Sequence, residues 1–126
     1  MLDHISIGVR DLARSTAFYD AALKPLGITR LYDGDHGAGY GAGKRAQFWL
    51  NPTDSPAPRN PQSGCHICFH AENRDAVQAF HALAISHGGE DDGGPGIRPQ
   101  YSPGYYAAFV CDPDGYRIEA VTFSAE

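Results

Sequence analysis

His4, His66 and Glu119 carry the chemistry of metal ligands or acid–base groups and fall where strands are expected. Glu119 lies in the stretch CDPDGYRIEAV, residues 111–121, which reads as a turn followed by a strand. Asp112, Pro113, Asp114 and Gly115 supply turn chemistry: short side chains that bond back to the backbone, a fixed φ, and a residue free to take positive φ. In the strand, Tyr116, Ile118 and Ala120 share one face, and Arg117, Glu119 and Val121 the other. A carboxylate inside such a strand must be solvated, paired or bound to a metal, because burying it alone is costly. The plain alternative is an edge strand with Glu119 facing water opposite a Lys or Arg. Two imidazoles and one carboxylate suit a metal with open positions. The same histidines also suit a cleft that binds an organic ligand without metal.

The elements that must position these residues can be read in order. Residues 3–9, DHISIGV, alternate, with His4, Ser6 and Gly8 on one side and Ile5, Ile7 and Val9 on the other, which predicts a strand. Asp11 is placed as an N-cap for a helix from about Leu12 to Leu26, ended by Pro25 and Gly27. Ile28–Tyr32 is a short strand, and residues 33–43 a Gly-rich connection. That connection lacks the Lys-Ser/Thr pair and following helix of a phosphate loop. Residues 45–50 form a strand with Gln47 and Trp49 on one face and Phe48 and Leu50 on the other. Residues 51–64 carry four prolines in NPTDSPAPRNPQSG and read as a linker. A strand at Cys65–Ala71 is followed by Asn73 as cap and a helix over Arg74–Ser86. Residues 90–100 read as turn-rich. A strand at Tyr105–Cys111 leads into the DPDG turn.

The two halves match at a constant offset of 62 residues: His4 on His66, Ile5 on Ile67, Ile7 on Phe69, Asp11 on Asn73, Ala17 on Ala79, Phe18 on Phe80 and Gly27 on Gly89. Each half runs strand, helix, then two or three strands. The expectation is an α+β fold, a single domain over 1–126, built of module 1–55 and module 64–126 joined by the Pro-rich linker 51–64. The two βαβββ modules would form a curved, mostly antiparallel sheet around a concave cleft, with helices outside. His4, His66 and Glu119 would meet in that cleft, with Gln47 contributed by the outer strand of the first module.

Composition sets limits. The chain has 126 residues, 42% hydrophobic and 20% charged, with a formal net charge of -5. It carries no basic cluster to track a phosphate backbone, so nucleic acid is not an expected partner. Fifteen glycines and nine prolines predict many short elements. Cys65 and Cys68 form a C-x-x-C by letter, but they fall in a strand rather than before a helix, against a redox motif. The N-terminus has no basic region followed by an apolar stretch, and no apolar run approaches a membrane span. The expected location is the cytoplasm, in reduced form.

With these residues in view, the chain resembles the vicinal oxygen chelate superfamily, which includes glyoxalase I, bleomycin and fosfomycin resistance proteins and extradiol dioxygenases. DHISIGVRDLARSTAFYDAALKPLG is similar to its opening strand and helix, and CDPDGYRIEAV to its closing segment. The closest resemblance is to small glyoxalase-like proteins of bacteria. The resemblance implies a divalent metal (Zn, Ni, Mn or Fe) held by His4, His66 and Glu119. Gln47, or Trp49 if the register shifts by two, matches the fourth ligand. A glutamine there cannot act as the proton-shuttling base that glutamate provides in glyoxalase I. His36, His70 and Tyr101 are the candidates for a base near the metal, and His70 shares a strand face with His66.

Two regions read as ligand walls. Arg98, Tyr101, Tyr105 and Tyr106 lie in RPQYSPGYY, a loop with a cation, phenols and fixed geometry. Trp49 and Phe48 would add an apolar wall. Arg14 and Arg98 suit carboxylates. The expected function is that of a metal-dependent lyase, isomerase or dioxygenase acting on a small oxygenated molecule. The alternative is a metal-free binding or sequestering protein of the bleomycin-resistance type. The resemblance also implies a homodimer, in which one site can draw His4 and Glu119 from different chains.

Overall fold

The computed structural model describes all 126 residues. The first module is β1 (Ile5–Val9), α1 (Leu12–Leu23), β2 (Thr29–Gly34), β3 (Gly37–Gly41) and β4 (Phe48–Pro52). The second repeats the order with β5 (Ile67–His70), α2 (Arg74–Ser86), β6 (Glu90–Ile97), β7 (Tyr106–Cys111) and β8 (Arg117–Thr122). The α+β class and the paired βαβββ modules are as the sequence predicts. Strand-to-strand hydrogen bonding stays within each module, giving two four-stranded sheets, β1-β4-β3-β2 and β5-β8-β7-β6, in place of one continuous sheet. In each, the first and last strands of the module pair in parallel, and the remaining pairings are antiparallel.

Local chemistry explains the helices. The Asp11 carboxylate accepts from the Arg14 N–H at 3.0 Å, and the Asn73 side chain accepts from the Ala76 N–H at 2.9 Å. Each cap satisfies an N–H that the helix itself leaves free. α1 ends three residues earlier than expected. Pro25 turns its last stretch, Lys24–Leu26, into a single 3-10 turn, which Gly27 closes at φ 77°.

Two stretches read as connections are strands. In β3, Ala38 and Tyr40 face the core, and Gly37, Gly39 and Gly41 face the other way. In β6, Asp91, Gly93, Gly96 and Ile97 pair with β7 through two register shifts. Flanking strands supply ladder hydrogen bonds whatever the side chains are, so neighbours overrode turn-like composition.

Ile7, Val9, Phe48 and Leu50 from the first sheet and Phe69, Val110, Ile118 and Ala120 from the second turn to one shared core. Phe18, Tyr19, Val77 and Phe80 fill it from the helices, and α1 packs against α2. Phe48 meets Phe69 edge-on at 5.3 Å between ring centroids. Both core faces point inward, which leaves the opposite face of each sheet open.

The DPDG turn is the seam between the modules. Tyr19 Oη donates to Asp112 at 2.6 Å, and Asp112 also accepts from the Asp114 and Tyr116 N–H groups at 2.9 Å. Burial pushes the Asp112 carboxyl above its usual range, against the pull of those three donors. Asp114 reaches the Arg10 N–H, the Arg14 guanidinium and the Ser15 hydroxyl, and Tyr116 Oη donates to the Gly8 carbonyl at 2.7 Å.

Candidate functional site

A cavity of about 630 Å3 opens on the free face of the second sheet. Its floor follows from alternation along β5, β7 and β8. Ile67, Phe69, Ile118 and Ala120 face the core, so His66, Cys68, Glu119 and Phe109 must face out. Glu119 is nevertheless only 1% exposed, because its neighbours close over it.

Both Glu119 oxygens are engaged. Oε2 accepts a short hydrogen bond from Tyr105 Oη, and Oε1 lies 3.0 Å from His66 Nε2. His66 Nδ1 lies 3.1 Å from the Gly64 carbonyl, which can only accept. Nδ1 therefore carries a proton there, and the imidazole is fixed with Nε2 toward Glu119. An unprotonated Nε2 and a carboxylate oxygen repel each other unless a cation lies between them. That cation can be a proton or a metal ion. Holding the outer nitrogen on a carbonyl is the usual way a ligating imidazole is oriented. The donor pair therefore fits a divalent metal: Nε2 and Oε1 converge, and both are oriented from behind.

Neighbouring groups feel the carboxylate. The Tyr105 phenol is pushed up by loss of water contact, then by its hydrogen bond and charge contact with Glu119. Desolvation, with Glu119 adding to it, pushes the Cys68 thiol up to about 12. Such a thiol is a poor nucleophile at neutral pH. Arg117 Nε donates to Asp92 at 2.8 Å on the rim, a pair that sequence reasoning did not single out. Phe109, which pairs with Glu119 across β7 and β8, was also missed. Its alternation with Tyr105 and Ala107 is the signal that would have found it.

Of the expected site residues, the cavity gathers His66, Glu119, Arg98, Tyr101 and Tyr105. Tyr101 caps the rim, 61% exposed and edge-on to Tyr105 at 5.1 Å. Tyr106 is turned away: it is buried, its hydroxyl accepts from Gln78, and Arg74 stacks over its ring. Phe48 is likewise buried, packed on Tyr19 and Phe69. Strand alternation puts both on core faces, so neither forms a ligand wall within the chain. His70 is exposed at the end of β5, and His36 is exposed at the tip of the β2–β3 hairpin.

His4 and Gln47 belong to the other open face. His4 is exposed and bonded to Asp3 at 2.7 Å, and it does not line the cavity with His66 and Glu119. No three His, Cys, Asp or Glu side chains of one chain converge to hold a metal. Pairing also fixes which residue of the first sheet is equivalent to Glu119. Cys68 is paired with Glu119, and its counterpart Ser6 is paired with Trp49. The position equivalent to Glu119 is thus Trp49, and Gln47 stands two residues earlier. Trp49 lies over Gly39, where a Cβ would come within 2.7 Å of the indole, and contacts Tyr32 at 5.5 Å.

Fold and site together define a paired-βαβββ protein with an open sheet face that holds a histidine–carboxylate pair. Residues 1–120 match the family described as the Glyoxalase/Bleomycin resistance protein/Dioxygenase superfamily, and the chain belongs to it. A glyoxalase/bleomycin resistance protein from Albidiferax ferrireducens T118 is similar in structure, with TM-score 0.84 and 32% identity over 96% of this chain and 98% of that one. Fosfomycin resistance proteins share the fold. One from Mesorhizobium loti gives TM-score 0.72 and 19% identity over 99% of this chain and 93% of that one. One from Listeria monocytogenes gives TM-score 0.69 and 19% identity over 96% and 91%. No curated protein sequence matches the chain. No helix is long and apolar enough to cross a membrane.

Proposed function

We propose that the chain is a single glyoxalase-like unit that works as a homodimeric, divalent-metal-dependent enzyme on a small oxygenated organic molecule. The observation that carries this reading is the His66–Glu119 pair, with imidazole Nε2 and carboxylate Oε1 converging at 3.0 Å and each oriented from behind. His4 of a second copy completes a two-histidine, one-carboxylate set. Trp49, at the position equivalent to Glu119, offers no donor and leaves coordination positions open. A bound metal would supply Lewis acidity toward two adjacent substrate oxygens.

The chain's own residues do the rest. Glu119, itself almost fully buried, brings the negative charge that a dication needs. Tyr105 holds the Glu119 carboxylate in place and presents its phenol at the cavity wall. Tyr101, exposed over Tyr105, shields the mouth. Phe109 adds apolar surface to the cavity lining.

The test is elemental analysis of the purified protein beside His66→Ala and Glu119→Ala. Close to one divalent metal per chain in the parent, and loss in both variants, is the expected result. A parent that neither carries nor takes up metal would overturn the reading. It would leave the metal-free ligand-binding alternative, which the Trp49–Tyr32 aromatic face favours.

A further inference from the structure

The cavity has two chemically different ends. At one lie His66 and Glu119. At the other lies Arg98, the residue that follows β6. Its Nη1 donates to the Gly96 carbonyl and its Nη2 to the Gly94 carbonyl, both at 2.8 Å, and its guanidinium lies over the Phe109 ring at 5.5 Å. Gly93 and Gly96 make room for it, since a Cβ at either would come within 3.2–3.3 Å of the guanidinium nitrogens. Arg98 has no carboxylate within salt-bridge distance, whereas Arg117, the other cavity arginine, is neutralised by Asp92. A guanidinium has five N–H groups; two are bonded here, and none of the protein's acceptors takes the other three.

Backbone pairing fixes the spacing. Glu119 pairs with Phe109, and Phe109 with Gly93, beside the Arg98 guanidinium. The strand positions of Glu119 and Gly93 are thus two strand spacings apart, ~10 Å, with Phe109 on the strand between them. We propose that Arg98 is an anion subsite, and that the natural ligand is a small organic acid. Its carboxylate or phosphonate is taken by Arg98, its body spans the cavity past the edge of Phe109, and its oxygenated end faces His66 and Glu119. This assignment of the ligand class rests on the functional reading above only for the role of that far end.

The test uses the full-length protein with three calorimetric probes: 3,4-dihydroxyphenylacetate, its neutral primary amide, and 3,4-dihydroxybenzylphosphonate. The parent should bind at least one acid roughly tenfold to a hundredfold more tightly than the amide, the range for a hydrogen bond to a charged group. Which acid binds more tightly tells carboxylate from phosphonate. Arg98→Gln should abolish the preference, and Arg98→Lys should keep part of it, with metal content and circular dichroism unchanged in both. Equal binding of acid and amide, no binding of either acid, or a preference that survives Arg98→Gln would overturn the proposal. Metal content is read separately. A metal-free protein that still prefers the acid through Arg98 would sink the metal reading and leave the anion subsite standing.

Discussion

On the second module, Glu119 sits in its sheet between Cys68 and Phe109. On the first, the matching slot holds Trp49 between Ser6 and Gly39. Large and small residues have changed places: a carboxylate beside a phenylalanine in one half, an indole over a glycine in the other. The topology, the helix caps and the inward alternation are shared. The outward residues are not, because core packing constrains only the inward set. The repeat therefore conserves a scaffold and leaves each open face free to take its own chemistry. One face has become a polar cavity with a buried acid, and the other an aromatic platform flanked by an exposed histidine.

The sharpest way to break that comparison is to ask whether the two faces work together across chains. His4→Ala and Glu119→Ala should each lose metal. After mixing, unfolding and refolding in equal amounts, the mixed dimers should regain about one intact site of two, since one site then holds both changes and the other neither. Metal analysis of the isolated mixed dimer reads this directly, and no recovery would overturn a site shared between chains. Next in size is the environment of Cys68. With its thiol held up to about 12, the thiolate forms only at high pH. Alkylation at pH 8, in chelator, should be slower than for a thiol fully in water, by roughly a hundredfold or more, and should rise about tenfold per pH unit. Glu119→Gln removes an upward push and should speed it; peptide mass spectrometry following Cys68 alone gives the rates. The smallest effect expected comes from making the faces alike. Trp49→Glu adds a carboxylate at the position equivalent to Glu119 and should raise metal affinity roughly tenfold by adding a charged donor. An unchanged affinity would mean that the two faces do not meet at one metal.

Much of the scaffold was legible in the sequence. Ile5, Ile7 and Val9 alternate, Asp11 and Asn73 cap, and Phe18 and Phe80 recur at one offset, because each follows from a local period or a local hydrogen bond. Strands β3 and β6 were not legible. Alternate glycines in β3, and acidic residues, glycines and a proline in β6, erase the apolar signal, and it is neighbouring strands that hold such segments extended. In the site, Glu119 was marked by its place in an apolar strand and His66 by the repeat. Phe48 and Tyr106 were misjudged as ligand walls because an aromatic side chain looks the same in sequence whether it faces a ligand or the core.

By itself the sequence determined the class of fold and its duplication, and it singled out Glu119 and His66 as candidates. Strand period, turn chemistry and capping are short-range, so they are written locally. Only the tertiary structure decided that His4 stands apart from His66 and Glu119 within the chain, that Trp49 rather than Gln47 occupies the slot equivalent to Glu119, and that Arg98 is left without an acid. Those outcomes depend on strand register, on helix α1 packing against α2, and on the seam between α1 and the turn at Asp112. They are set by contacts between residues far apart in the chain, and no local pattern records them.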